Sequence, residues 1–305
     1  MSALGFVGVD TGGSSIQQIF PRWAHALGLP EDRLVGYDIP LGASDEEYVA
    51  VVERIRDDDG VAGALVTTHK IRIFEAAGHL FGSLDRFARE CGEVSSIAKH
   101  DGRLIGHALD PLTARLSLEE FVPEGHFGRT GAQVVCLGAG GAGTAITWYL
   151  AGRRDRPKRI TITDADPRRL DHVREVHERG GLPAETFSYV VADGPADDLV
   201  TAAPPGSLIV NATGMGKDRL GSPLGASARL PERGLIWELN YRGPLEFLAI
   251  ARTQEERSGL TVVDGWRYFI HGWTQVIAEV FGLEMGPARV EHLARLATPP
   301  GAAKS

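Results

Sequence analysis

A run of six small residues, Gly138-Ala139-Gly140-Gly141-Ala142-Gly143, most constrains what this chain can fold into. It follows the apolar stretch 134–137, which reads as a buried strand, and precedes 144–150, which reads as helix. Gly138, Gly140 and Gly143 fit the pattern G-x-G-x-x-G. In that order the first glycine permits a tight turn, the second lets a pyrophosphate approach the backbone, and the third lets the helix pack close to the strand. The helix N-terminus then offers N–H groups and a positive dipole end to the phosphates. A second strand, 159–163, leads into Asp164, placed about 20 residues on, where a carboxylate accepts from a ribose 2′-hydroxyl and repels a 2′-phosphate. Dinucleotide binding is therefore expected, with NAD favoured over NADP, although Arg168 and Arg169 lie close enough in sequence to reach a phosphate.

The rest of the chain alternates in the same way. Residues 167–178 read as a helix, and 187–191, 208–210 and 235–238 as further strands, which argues for a parallel sheet with helices on both faces. Before the glycine run, 4–9, 34–39 and 61–66 read as strands. Ile16, Ile19, Phe20, Trp23, Ala24 and Leu27 recur at helical spacing, with Ser14 or Ser15 placed to cap them and Pro21 in local conflict. Residues 45–55, 71–77 and 84–91 read as helices. The stretches 94–99 and 103–107 flank a hairpin signal, His100-Asp101-Gly102. A helix is expected over 111–121 with Pro111 in its first turn. Residues 122–133 are Gly-rich and polar, so a domain boundary is placed there. The small, Pro/Gly-rich residues 298–305 read as a disordered tail.

Composition narrows the partners. The 40 acidic residues outnumber 32 basic ones, for a formal charge of -8, so nothing suggests a nucleic-acid partner. The basic run 153–159 reads as a solvated loop. Two cysteines, Cys91 and Cys136, exclude a disulfide scaffold and fit a reducing compartment. No signal peptide or membrane span is visible, so a cytoplasmic protein with no membrane partner is expected. No His/Cys cluster has metal-ligand spacing, and no G-x-S-x-G elbow supports acyl transfer, so no metal is assigned.

Lys70 follows the apolar strand 61–66, and Asp110 follows 103–107. Polar groups past the carboxyl ends of strands are where α/β crevices form. Hydride transfer at a carbinol carbon needs a group that exchanges the hydroxyl proton, and a lysine beside an aspartate can do so. A nearby carboxylate favours the charged amine, while burial favours the neutral one. A surface lysine at a helix start and an aspartate capping the helix before Pro111 are the plainer readings of the two residues.

Taken together, these segments resemble the shikimate/quinate dehydrogenase family. The similar segments run in order through Gly63-Ala64-Leu65-Val66-Thr67-Thr68-His69-Lys70, Gly92-Glu93-Val94-Ser95-Ser96 and Asp101–Asp110, then the glycine loop. They continue through Asn211-Ala212-Thr213-Gly214-Met215-Gly216, Glu238-Leu239-Asn240-Tyr241-Arg242-Gly243-Pro244 and Gly265 to Gly272. The resemblance implies an N-terminal α/β substrate domain plus a Rossmann-type, doubly wound parallel-sheet domain. The first is expected over 1–121 plus 272–297, the second over 122–271. It implies an NAD-dependent dehydrogenase or reductase acting on CH–OH, with Lys70 and Asp110 as the catalytic pair. Cofactor contacts would come from Gly138, Ala139, Gly140, Gly141, Ala142, Gly143, Asp164, Asn211, Ala212, Thr213 and Gly265.

The departures bear on the substrate. The family's first serine before helix one falls on Gly13, its second on Ser15, with Ser14 adjacent. Its Asn-Thr pair becomes Ser95-Ser96, the residues before Asp110 become Ala108 and Leu109, and its C-terminal Gln falls on Gly272, with Gln275 nearby. A ligand group buried without its hydrogen-bond partner weakens binding by about 1–3 kcal/mol. The expected substrate is therefore a small ring alcohol or ketone altered relative to shikimate, with Ser14, Ser15, Ser95, Tyr241 and Gln275 as candidate contacts. An ordinary shikimate or quinate dehydrogenase is the alternative within the family. A non-catalytic NAD- or metabolite-binding protein on the same fold is the alternative from another class. The sequence leaves the oligomeric state open; a homodimer is compatible with it.

Overall fold

The computed structural model describes residues 2–217 and 219–297; the tail expected at 298–305 lies outside them. The chain divides into two compact units. Unit 1 holds the described residues up to Leu109 and those from Ile270 on; unit 2 is Asp110–Phe269.

Unit 1 is built on a mixed six-stranded sheet of β1 (Ala3–Gly8), β2 (Leu34–Asp38), β3 (Val61–Val66), β4 (Ser83–Leu84), β5 (Ser96–His100) and β6 (Arg103–His107), in the order β2-β1-β3-β5-β6-β4. β1 runs parallel to β2 and β3, whereas β5 is antiparallel to both β3 and β6. The β5–β6 turn is the one the sequence signals. Asp101 (φ 50°) and Gly102 (φ 72°) both take positive φ, as a two-residue type I′ turn requires. Helix Ile16–Leu27 runs unbroken through Pro21, which sits on its exposed face. The opposite face buries Ile16, Ile19, Phe20 and Trp23, and the Trp23 indole N–H donates to Leu293 O at 2.7 Å. Ser15 does occupy the N-cap position, but it is already helical (φ -56°, ψ -25°) and its hydroxyl makes no capping bond, contrary to expectation.

Unit 2 is built on β7 (Val134–Leu137), β8 (Ile160–Asp164), β9 (Phe187–Val191), β10 (Leu208–Asn211), β11 (Leu235–Glu238) and β12 (Thr261–Val263). All are parallel, in the order β12-β11-β10-β7-β8-β9. Strand order reverses between β7 and β10, the switch point where doubly wound sheets open a crevice beyond their carboxyl ends.

The segment 122–133, where a domain boundary is expected, packs within unit 2. Val122, Phe127 and Ala132 are buried with Ala114 and Leu118 in the core of unit 2. A short helix, His126–Thr130, lies within it, and the Asp155 carboxylate accepts the N–H groups of Phe127 and Gly128. Glycine content masked three apolar anchors there. The unit boundaries accordingly fall at Leu109/Asp110 and Phe269/Ile270 rather than at 121/122 and 271/272. Helix Trp266–Phe281 begins in unit 2, and its later turns belong to unit 1, where Trp273 meets Phe6 edge-on at 5.0 Å.

Candidate functional site

In unit 2 the glycine loop and Asn211-Ala212-Thr213 meet at the switch point. Gly138 has φ 107°, and a Cβ there would lie 2.6 Å from the Ala212 carbonyl and 2.8 Å from Thr213 N. Only glycine allows that approach. Gly140, in contrast, has nothing within 4 Å of a Cβ position. A side chain there would fill open space just ahead of helix Gly141–Gly152, where an anion can meet the helix N-terminus. The cradle therefore fits a dinucleotide pyrophosphate. Gly265 lies beyond β12, and its N–H donates to Asn240 O.

Asp164 ends β8 as expected, but its oxygens are engaged. Oδ2 accepts Ala139 N–H at 2.9 Å and Oδ1 accepts Asp166 N–H at 3.0 Å. The carboxylate braces the glycine loop and the turn into helix Pro167–Arg179. Arg169 lies 3.7 Å from it, and Arg168 pairs with Asp166 at 2.9 Å. Two guanidinium groups thus stand beside the carboxyl end of β8.

Below the loop lies a polar cluster whose geometry the sequence alone does not reveal. Glu238, fully buried at the end of β11, accepts from Asn211 Nδ2 at 2.7 Å and from Asn240 N–H at 2.8 Å. Burial pushes its carboxyl up to about 7, despite those donors. Its signal was present in Leu235–Glu238, an apolar strand ending in an acid that must find partners. A second missed group is His177, bonded to Thr147 Oγ1 at 3.0 Å and the Tyr189 hydroxyl at 2.8 Å.

In unit 1, Lys70 opens helix Lys70–Ala77 just past β3, half-buried. Its N–H donates to Thr67 O and its carbonyl accepts Val94 N–H, so the main chain holds its position. The preceding His69 is buried. Nε2 lies 2.8 Å from Ile39 O, so it carries the proton, and Nδ1 then accepts from the Tyr48 hydroxyl at 3.0 Å. Burial lowers its pKa, which keeps the ring neutral. His69 ties helix Asp45–Asp57 and the residue after β2 to the start of helix Lys70–Ala77, and has no ring nitrogen left for a ligand. Ser14 and Ser15 lie half-buried at the start of helix Ile16–Leu27, past β1. Gln275 is half-buried on the part of helix Trp266–Phe281 that belongs to unit 1.

Ser95 departs from expectation. Its hydroxyl, 3% exposed, accepts Leu109 N–H at 2.7 Å and faces His107 O at 3.4 Å. Both contacts are to the backbone of the turn leading into Asp110. Asp110 is the buried first residue of helix Asp110–Glu119 and belongs to unit 2. Tyr241, also in unit 2, is half-buried and packs its ring against Phe269 (4.6 Å) and Trp266 (5.5 Å). Among the described residues, no group of three His, Cys, Asp or Glu is placed to hold a metal, and no helix is long and apolar enough to cross a membrane.

No family model matches the chain. Individual relatives do. The chain is 31% identical over 214 residues to the shikimate dehydrogenase (NADP(+)) of Symbiobacterium thermophilum, covering 69% of this chain and 68% of the relative. It is 29% identical over 216 residues to the enzyme of the same name from Thermococcus kodakarensis, covering 70% and 69%. Shikimate 5-dehydrogenase of Thermus thermophilus, solved in complex with NADP(H) and shikimate, is similar at a TM-score of 0.69 and 26% identity, covering 98% of this chain and 100% of that one. These names overturn the expectation of NAD over NADP. The physical reason is visible in Asp164, whose carboxylate is committed to backbone N–H groups, and in the two arginines beside it. By its sequence and its fold, the chain belongs to the shikimate dehydrogenase family, oxidoreductases that act on CH–OH groups.

Proposed function

We propose that this chain is an NADP-dependent dehydrogenase that interconverts a secondary alcohol and a ketone on a small ring, and that the ring differs from shikimate in its substituents. Unit 2 would bind the cofactor, and unit 1 would supply Ser14, Ser15, Gln275 and Lys70 to the ring. NADP, when bound, supplies the hydride acceptor. Lys70 Nζ, as the neutral amine, would accept the O–H proton as the carbinol hydrogen leaves as hydride, and a carbonyl would remain; in reduction the ammonium would return the proton. Asp110 is the proposed second member of the catalytic pair. Gly138–Gly143 seat the pyrophosphate, with Asn211, Ala212, Thr213 and Gly265 bordering the cofactor. Ser14, Ser15, Tyr241 and Gln275 are the proposed ring contacts. The buried thiols of Cys91 and Cys136 accord with a reducing, cytoplasmic setting.

The observation that carries the altered substrate is the state of Ser95. The resemblance assigns its position to a polar ring partner, yet its hydroxyl is taken by the backbone of Leu109 and His107. The neighbouring Ala108 and Leu109 are buried and apolar, and offer no replacement side-chain donor. A ring hydroxyl directed there would forfeit about 1–3 kcal/mol. The test is a rate panel with NADP and shikimate, quinate, aminated rings and less hydroxylated rings, followed by absorbance of the reduced nicotinamide. Turnover with a less hydroxylated or aminated ring, and little with shikimate or quinate, is the expected result. Efficient turnover of shikimate would overturn the altered-substrate reading while leaving the reaction type intact.

Arg169 and Arg168 are the proposed partners of the 2′-phosphate. Arg169→Ala should weaken NADP about tenfold, a modest loss because the site is half exposed and screened. NAD affinity should be unchanged. Parallel calorimetric titrations check this, and equal weakening of both cofactors would remove Arg169 from the role.

A further inference from the structure

We infer that Glu238 is a positioning residue for the loop 211–216, and that its ionised carboxylate sets the cofactor affinity of unit 2. The inference rests on the cofactor reading above but concerns a residue that touches no cofactor.

Glu238 and Asn211 end adjacent parallel strands in register, and neither is exposed. An ionised carboxylate is acceptor-only, so the Asn211 amide must turn its NH₂ toward Glu238. Its carbonyl is thereby aimed at Thr213, accepting the N–H at 3.1 Å and the hydroxyl at 2.7 Å. With its proton spent on Asn211, Thr213 Oγ1 accepts Met215 N–H at 3.0 Å. Asn240, whose own N–H rests on Glu238, returns its side-chain NH₂ to Met215 O at 2.9 Å. The donors that run from Met215 N–H through the Thr213 hydroxyl to the Asn211 amide are thus polarised toward one buried carboxylate. The loop has no slack, because Ala212 and Thr213 lie against the Gly138 backbone.

Protonation of Glu238 would remove its charge, so the bonds from Asn211 and Asn240 would lose their charge assistance and weaken. The groups that face Glu238 are few. Asn211 comes from β10, Asn240 follows β11, and the acting charge is Asp264, which follows β12 and disfavours ionisation as burial does. Near-neutral pH therefore divides the protein between an ordered loop and a loosened one, and acid favours the loosened form.

The experiment measures NADP Kd and amide hydrogen exchange of peptide 211–216, across pH 6 to 8, in the wild type and in Glu238→Gln. If only the ionised form holds the loop, wild-type Kd should weaken roughly tenfold from the alkaline to the acid end. Loop exchange, corrected for its intrinsic pH dependence, should accelerate in step without cofactor. Glu238→Gln should show flat corrected loop exchange at the weak level, and an NADP Kd that keeps only the pH dependence of the cofactor's own 2′-phosphate. The wild-type profile is informative even if the variant folds poorly. Wild-type loop exchange that is flat with pH, a ratio of wild-type to Glu238→Gln Kd that does not change with pH, or loop exchange in Glu238→Gln that still follows pH would overturn the inference. Loop protection that follows Glu238, with no NADP bound at any pH, would overturn the cofactor reading and leave the loop role of Glu238 standing.

Discussion

Lys70→Ala should lower kcat by about 10²–10⁴-fold, the span that a positioned proton-transfer group contributes. The same substitution should leave NADP affinity within a few-fold. Two observations separate the effects. The bonds that seat residue 70 are main-chain bonds, from its N–H to Thr67 O and from Val94 N–H to its carbonyl, and alanine keeps both. Alanine also favours the helix that starts there. The cofactor cradle, for its part, is made by unit 2, to which Lys70 does not belong. Lys70→Arg should be nearly as slow, because a guanidinium keeps the charge but does not release its proton near neutrality. Steady-state rates beside calorimetric NADP titration decide the matter. Loss of NADP binding in Lys70→Ala would refute the division of labour, and a kcat close to wild type would remove Lys70 from catalysis.

What the sequence made legible follows from the range of the interactions involved. The glycine loop, the Asp-Gly hairpin and the alternation of strand and helix are set within a few residues of one another, so pattern reveals them. Roles that depend on partners far along the chain were hidden. Asp164 looked like a ribose ligand because its place after β8 is local, whereas its commitment to Ala139 N–H joins residues 25 apart. Ser95 looked like a ring contact, yet a backbone N–H 14 residues on takes its hydroxyl. The role of His69 shows only in the fold, where Ile39, 30 residues away, and Tyr48, 21 residues away, hold both ring nitrogens. The segment 122–133 suggested a domain boundary because composition averages over positions, whereas burial of Val122, Phe127 and Ala132 is decided one side chain at a time.

His177 carries the second large expectation, an acid-dependent loss of stability in unit 2. The ring is buried and stacks on Phe187 at 3.9 Å. The Thr147 hydroxyl donates to the Gly143 carbonyl at 2.8 Å, so it accepts from His177 Nε2, and Nδ1 accepts from Tyr189. A neutral ring satisfies this arrangement, and a second proton would face the Tyr189 hydroxyl. Burial accordingly lowers the pKa from 6.5 to about 3. Between those values the unfolded chain binds a proton that the folded chain refuses, so stability falls as pH drops below the unfolded pKa. Going from pH 7 to about pH 4.5 should withdraw about 3 kcal/mol on this account. Glu238 acts in the opposite sense. Its folded pKa is raised from 4.5 to about 7, so its contribution is present in acid and is lost as pH rises through that window. The two nearly cancel in the wild type, and a single pH-stability curve would show neither. His177→Gln removes one side of the balance. Urea unfolding of both proteins at the two pH values should show the wild type losing about 3 kcal/mol relative to His177→Gln on acidification. A difference that stays constant with pH would mean that the folded protein accepts the proton on His177, and that the Thr147–His177–Tyr189 chain does not hold the helix behind the glycine loop in the neutral form.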